Sequence, residues 1–113
     1  MSYDISLVMK DALGDDHKLV EVGNYTYNCG PMFARALEAG GLPFVTLSGC
    51  NGRRADDMAA FLTTGLAYWD AHPAEFSVMD PTNRWGDSLS AREYMGRLLD
   101  ACVRFPSATV SVS

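Results

Sequence analysis

NYTYNCGPMF, Asn24 to Phe33, is where the chain changes period. Up to Asn28, polar and aromatic residues alternate, so a pleated strand places Asn24, Thr26 and Asn28 on one face and Tyr25 and Tyr27 on the other. From Pro31 the spacing lengthens: Met32, Phe33, Ala36 and Leu37 share one face of a helix that Gly40-Gly41 stops. Pro31 suits the first helical turn, where its missing N–H costs nothing. A strand therefore runs into a helix here, which rules out both an all-helical and an all-β chain.

Working outward, KLVEVGNYTYN is rich in β-branched and aromatic residues and reads as the second strand. Ahead of it, Tyr3, Ile5, Leu7 and Met9 alternate with Asp4, Ser6 and Val8, the pattern of a strand with one buried face. ALGDDH between them is a turn, too short for a parallel crossover, so the two strands pair antiparallel. Beyond the first helix, LPFVTLSG (residues 42–48 and Gly49) fits either a short strand or an extended connector. Asn51 or Gly52 starts the next helix, which carries Ala55, Met58, Ala59, Leu62, Leu66 and Trp69 at helical spacing, with Asp56 and Asp57 at its positive end. Pro73 ends it or opens a further short turn. SVMDPTNRWGDS is a loop. Ser90 and Glu93 match a capping box ahead of a helix that buries Tyr94, Met95, Leu98, Leu99 and Cys102. Last, SATVSVS alternates as a third strand, expected to lie antiparallel to the first.

The order predicts an α+β fold: a small antiparallel sheet, two N-terminal strands plus the C-terminal one, covered on one face by about three helices. At 113 residues and 48% hydrophobic, residues 1–113 suit a single compact domain with one core.

Composition narrows the chemistry. Nine basic against fourteen acidic residues leave a net charge of −5, the wrong sign for a generic nucleic-acid binder and more compatible with a basic protein surface. No apolar run nears the roughly 18 residues of a membrane span. The first residues lack the basic region and apolar core of a signal peptide, so a cytoplasmic protein is expected. Cys29, Cys50 and Cys102 are widely spaced, and His17 and His72 are the only histidines, an inventory that suits neither a zinc site nor a disulfide framework. No P-loop, Rossmann glycine fingerprint or catalytic triad signature is present. No cofactor, metal ligand or catalytic residue is assigned.

Two stretches stand out as candidate binding residues. Asn24, Tyr25, Thr26, Tyr27, Asn28 and Gly30 offer amides, a hydroxyl and aromatic rings beside a helix start, and helix N-termini attract phosphate and carboxylate. The same residues also serve plain architecture, with Asn28 as the helix cap, Asn24 holding a turn and both tyrosines in the core. Asn83, Arg84 and Trp85 form the second stretch. Trp85 inside a Gly/Asn/Pro loop either stacks on a ligand, plugs a partner's pocket, or closes the bottom of the core. Cys29 is the one candidate nucleophile, since a helix start lowers a thiol's pKa.

The block NYTYN-x-GPMF, the later N-x-WG loop and the closing P-x-A-T-V-x-V together resemble a family of short uncharacterised proteins of bacteriophages, particularly those of actinobacteria, and of their hosts' genomes. The resemblance covers nearly the whole chain. Arg84 stands where that pattern has glycine, and Cys29 where it has an aliphatic residue. It implies a phage origin and brings no reaction with it. Two functions follow as expectations. One is a small non-catalytic accessory or inhibitor protein that binds a host macromolecule in the host cytoplasm. The other is a binder or sponge for a small polar or phosphorylated ligand such as a nucleotide messenger. A Cys29-dependent enzyme is a third.

Overall fold

The computed structural model describes residues 2–113. Two long strands, β1 (Ser2–Lys10) and β2 (Asp16–Thr26), form an antiparallel hairpin. A 3₁₀ turn over Tyr27–Cys29 leads into helix α1 (Gly30–Ala39). After an irregular connector and a second 3₁₀ turn (Ser48–Cys50) come α2 (Ala55–Ala71), the short α3 (Pro73–Ser77) and α4 (Ser88–Arg104). The chain closes with β3 (Thr109–Val112), antiparallel to β1, giving the strand order β2-β1-β3. The expected α+β architecture is therefore the one observed, with a fourth, five-residue helix at the Pro73 turn.

Tyr3, Ile5 and Leu7 of β1 and Val110 of β3 are buried, whereas Asp4 is exposed and Ser6 and Val8 are half-buried. Period-two alternation thus sets which face the helices cover. Met9, expected on the buried face, is exposed, because the hairpin from Met9 to Leu19 is exposed throughout. The turn at its tip is held by Asp11, whose Oδ1 accepts from the N–H groups of Leu13 and Asp15 and whose Oδ2 lies 2.7 Å from His17 Nε2. β2 does not alternate cleanly. Its register against β1 slips between Ile5 and Ser6 and again between Leu7 and Val8, leaving one extra β2 residue at each place. Such bulges bend a strand and shift its side chains between faces. Gly23, at φ 117°, sits at the first slip, where a side chain would be strained.

α4 lies on β2 and β1, and α2 packs on α1 and α4. Met58, Leu62, Leu66 and Trp69 of α2 and Tyr94, Met95, Leu98 and Cys102 of α4 are buried in the same core. The α1–α2 contact brings backbones together: a Cβ on Gly65 would stand 2.2 Å from Ala36 O, and one on Gly40 would stand 2.1 Å from Phe61 O. Only glycine permits that approach.

Two helix starts differ from expectation, each for a non-local reason. Asn51 and Gly52 do not begin α2; residues 51–54 instead close the outer edge of β3. Gly52 N–H donates to Val110 O and Val110 N–H to Arg53 O, both at 2.8 Å, while Asn51 Oδ1 accepts from Val112 N–H at 2.8 Å. An open strand edge is a row of unmet hydrogen bonds, and this segment meets them. α4 begins at Ser88 rather than after Ser90. Asp87 is its cap and accepts from Ser90 N–H at 2.8 Å, so the Ser90–Glu93 capping box does not form. Residues 42–48 form neither a strand nor a regular extended run. Phe44 in this connector has φ 61° and is 103% exposed.

Candidate functional site

The two unusual stretches meet in space. Gly86, at φ 90°, lies so close to the strand–helix junction that a Cβ there would stand 2.7 Å from Thr26 Cγ2, 2.9 Å from Cys29 Sγ and 3.1 Å from Tyr25 Oη. The Tyr25 hydroxyl accepts from Asp87 N–H at 3.2 Å, lies 3.1 Å from Asp87 O, and pairs with Ser90 Oγ at 2.6 Å. The Tyr25 ring stacks on Tyr94, with centroids 5.3 Å apart, and meets Phe33 edge-on. Tyr25 thus fastens the end of the loop to the sheet through both its ring and its hydroxyl. Burial raises its pKa, and the hydrogen bonds from Ser90 and Asp87 oppose that shift.

The alternating polar row is shorter than the sequence suggests. β2 ends at Thr26, and the 3₁₀ turn takes Tyr27 and Asn28 out of the pleat. Thr26 Oγ1 accepts from Asn28 N–H at 3.3 Å and from Asn28 Nδ2 at 2.9 Å, so Thr26 caps the turn and Asn28 does not cap α1. Asn24 Nδ2 donates to Ser2 Oγ at 2.8 Å and remains exposed. Tyr27 packs on Tyr3, centroids 4.4 Å apart. Gly30 is small for Tyr3, whose hydroxyl would stand 2.8 Å from a Cβ at that position. Tyr25, Thr26, Tyr27 and Gly30 are therefore joints of the fold, and Asn24 and Asn28 are its exposed polar groups.

The loop from Asp80 to Asp87 is tied along its length. Asp80 Oδ1 accepts from Ser88 N–H at 2.8 Å, Arg84 N–H donates to Pro81 O, and Asn83 Oδ1 accepts from Trp85 N–H at 3.0 Å. Arg84 has φ 63°, a backbone conformation that favours glycine. Trp85 does not close the core. It is 64% exposed on this tethered loop.

Cys29 is buried, and burial pushes its thiol pKa up, overriding the lowering expected of a helix start. Burial likewise raises Cys50 to about 11 and Cys102 to about 12. A protonated, enclosed thiol is a poor nucleophile. Among the described residues, no three or more His, Cys, Asp or Glu side chains gather to hold a metal ion, and no helix is long and apolar enough to cross a membrane.

Sequence reasoning missed the surroundings of the loop. Val78 and Leu89 are 81% and 80% exposed, and a cavity of about 630 Å³ opens between α3 and the start of α4, with Asp80 and Asp87 in its lining. Leu89 could not be found by pattern, because one apolar residue on the polar side of an amphipathic helix breaks no period. Two smaller cavities, of about 270 and 210 Å³, lie by β3 near Asn51 and between β2 and the end of α4.

The fold and the loop define a small α+β protein that presents a tethered aromatic. Comparison adds no family: no family model, curated protein or solved structure matches the chain.

Proposed function

We propose that this chain is a small non-catalytic accessory or inhibitor protein of phage type, acting in the host cytoplasm by binding a host macromolecule through the Trp85 loop. One observation carries the proposal: a tryptophan 64% exposed on a loop whose backbone N–H groups at Trp85, Asp87 and Ser88 donate to the side chains of Asn83, Tyr25 and Asp80. Exposing a large ring to water is unfavourable, and a loop already ordered loses little entropy when the ring is covered. Tryptophan is also among the residues most often dominant at binding hot spots. The strained backbone at Arg84 beside it points the same way, since strain collects at functional positions. The resemblance of Asn24–Phe33 and Asn83–Gly86 to short bacteriophage proteins supports the host-directed role.

The test compares immobilised wild-type protein with Trp85→Ala for capture from a host-cell extract, with melting measured on both. We expect the captured species to fall at least about fivefold in the variant, the equivalent of ~1 kcal/mol at 25 °C, while melting stays within a few degrees. Undiminished capture by a folded Trp85→Ala protein rejects the loop as the binding surface. A nucleotide that raises the wild-type melting temperature in a thermal-shift panel favours the phosphorylated-ligand sponge instead.

A further inference from the structure

The Trp85 loop leaves the helical layer at Asp80 and rejoins it at Asp87, and both aspartates line the same cavity. This groove of about 630 Å³ has Pro73, Ala74 and Ser77 on one wall and Ser88 and Leu89 on the other. Its surface is largely apolar, and Leu89 in its wall is 80% exposed.

The charge on the groove is unbalanced. Asp80 uses Oδ1 to accept from Ser88 N–H, and Asp87 uses Oδ1 to accept from Ser90 N–H and Ser90 Oγ. No bond of this kind is formed by either Oδ2 among the described residues. The six ion pairs of the described residues employ Asp16, Asp11, Glu21, Glu75, Asp56 and Asp70, and neither Asp80 nor Asp87. The carboxyl of Asp87 is held below its ordinary range by the Ser90 N–H and hydroxyl, so it stays charged at neutral pH. Two carboxylates beside an apolar wall disfavour two kinds of occupant. A purely apolar partner would strip water from both charges without replacing it, and a phosphate would add like charge. A cation attached to an apolar body meets both demands.

We propose that the groove takes a short, basic, amphipathic helix of a partner protein, with leucine-like side chains against Ala74 and Leu89 and lysine or arginine side chains at Asp80 and Asp87. This rests on the binding role proposed for the adjoining Trp85 loop and names the chemistry of the partner. The net charge of −5 adds long-range attraction for such a segment. Helix-in-groove docking is a common way for two helices and a loop to read a peptide.

The probe is a fluorescein-labelled amphipathic helix of leucine and lysine, titrated by anisotropy, with a matched peptide carrying glutamate for lysine. Saturable binding of the lysine peptide alone is expected. Asp80→Asn with Asp87→Asn keeps the caps, because asparagine caps as well as aspartate, yet removes both charges. That variant should weaken binding about tenfold or more, and Leu89→Ser about fivefold. Asp15→Asn with Asp57→Asn changes net charge equally, far from the groove in sequence, and should weaken binding less than twofold. Equal weakening by both double variants, no binding of the lysine peptide, or tighter binding to anionic lipid vesicles that ignores Asp80 and Asp87 overturns the groove. Should Trp85→Ala abolish capture from host extract while the Asp80/Asp87 double variant captures normally, the groove fails and the loop stands. Should the peptide obey the groove variants while Trp85→Ala leaves capture unchanged, the groove stands and the loop fails.

Discussion

Tyr25 and Trp85 are both large aromatics in unusual stretches, and the fold brings their segments within contact of each other, yet they are used in opposite ways. Tyr25 is half-buried, stacked on Tyr94 and edge-on to Phe33, with its hydroxyl on Asp87 and Ser90. Trp85 projects into solvent from the loop that Tyr25 fastens. A strand residue inherits a face from the pleat, so an aromatic there has a wall to meet. A loop residue has no period and inherits nothing. Rigidity at one position and exposure at the other are complementary, since a tryptophan can act as a preformed anchor only if something else holds its loop.

Five measurements break or sharpen that contrast, beginning with the core that sets its scale. Leu62→Ala and Leu98→Ala remove fully enclosed side chains in the middles of α2 and α4 and should each cost about 2–5 kcal/mol in denaturant unfolding. Losses below about 1 kcal/mol would mean that these helix faces are not the packed ones. Next comes Gly86→Ala, which forces a Cβ toward Thr26 and Cys29 and meets a backbone at φ 90°. It should cost about 1–3 kcal/mol, and a neutral result would show that the loop does not rest on the junction.

Tyr25→Phe keeps the ring and deletes the hydroxyl that accepts from Asp87 N–H and pairs with Ser90, for an expected loss of about 1 kcal/mol. The same joint has a pH signature. The folded-state pKa of Asp87 is depressed, chiefly by Ser90 N–H and then by the Ser90 hydroxyl. Its contribution is therefore present above the unfolded value of about 3.9 and is lost as pH falls through the lower folded value. The melting gap between wild type and Asp87→Ala should narrow as pH drops below about 4; a gap independent of pH would remove the Asp87 carboxylate from the cap. The smallest effect is reserved for Trp85→Ala, which should change stability by less than about 0.5 kcal/mol. A loss as large as that of Leu62→Ala would make Trp85 architecture and erase its contrast with Tyr25.

The sequence by itself determined the elements whose pattern is local. Tyr3, Ile5 and Leu7 announce a half-buried strand, Met58, Leu62, Leu66 and Trp69 a helix face, and Val110 between Thr109 and Ser111 the strand that pairs with β1. These could be read because period two and period 3.6 are properties of neighbouring residues. Only the tertiary structure decided what depends on residues far away. Met9 keeps the period of β1 but lies exposed where the hairpin extends past its buried part, and β2 loses its alternation to two register slips. Asn51 seals the edge of a strand 61 residues further on instead of starting a helix, and Asp87, not Ser90, caps α4 where Tyr25 binds it. The exposure of Trp85 and the groove between Asp80 and Asp87 belong to the same class. A loop's direction is set by what holds its two ends, and here those ends are held by Ser88 and by a tyrosine 62 residues earlier in the chain.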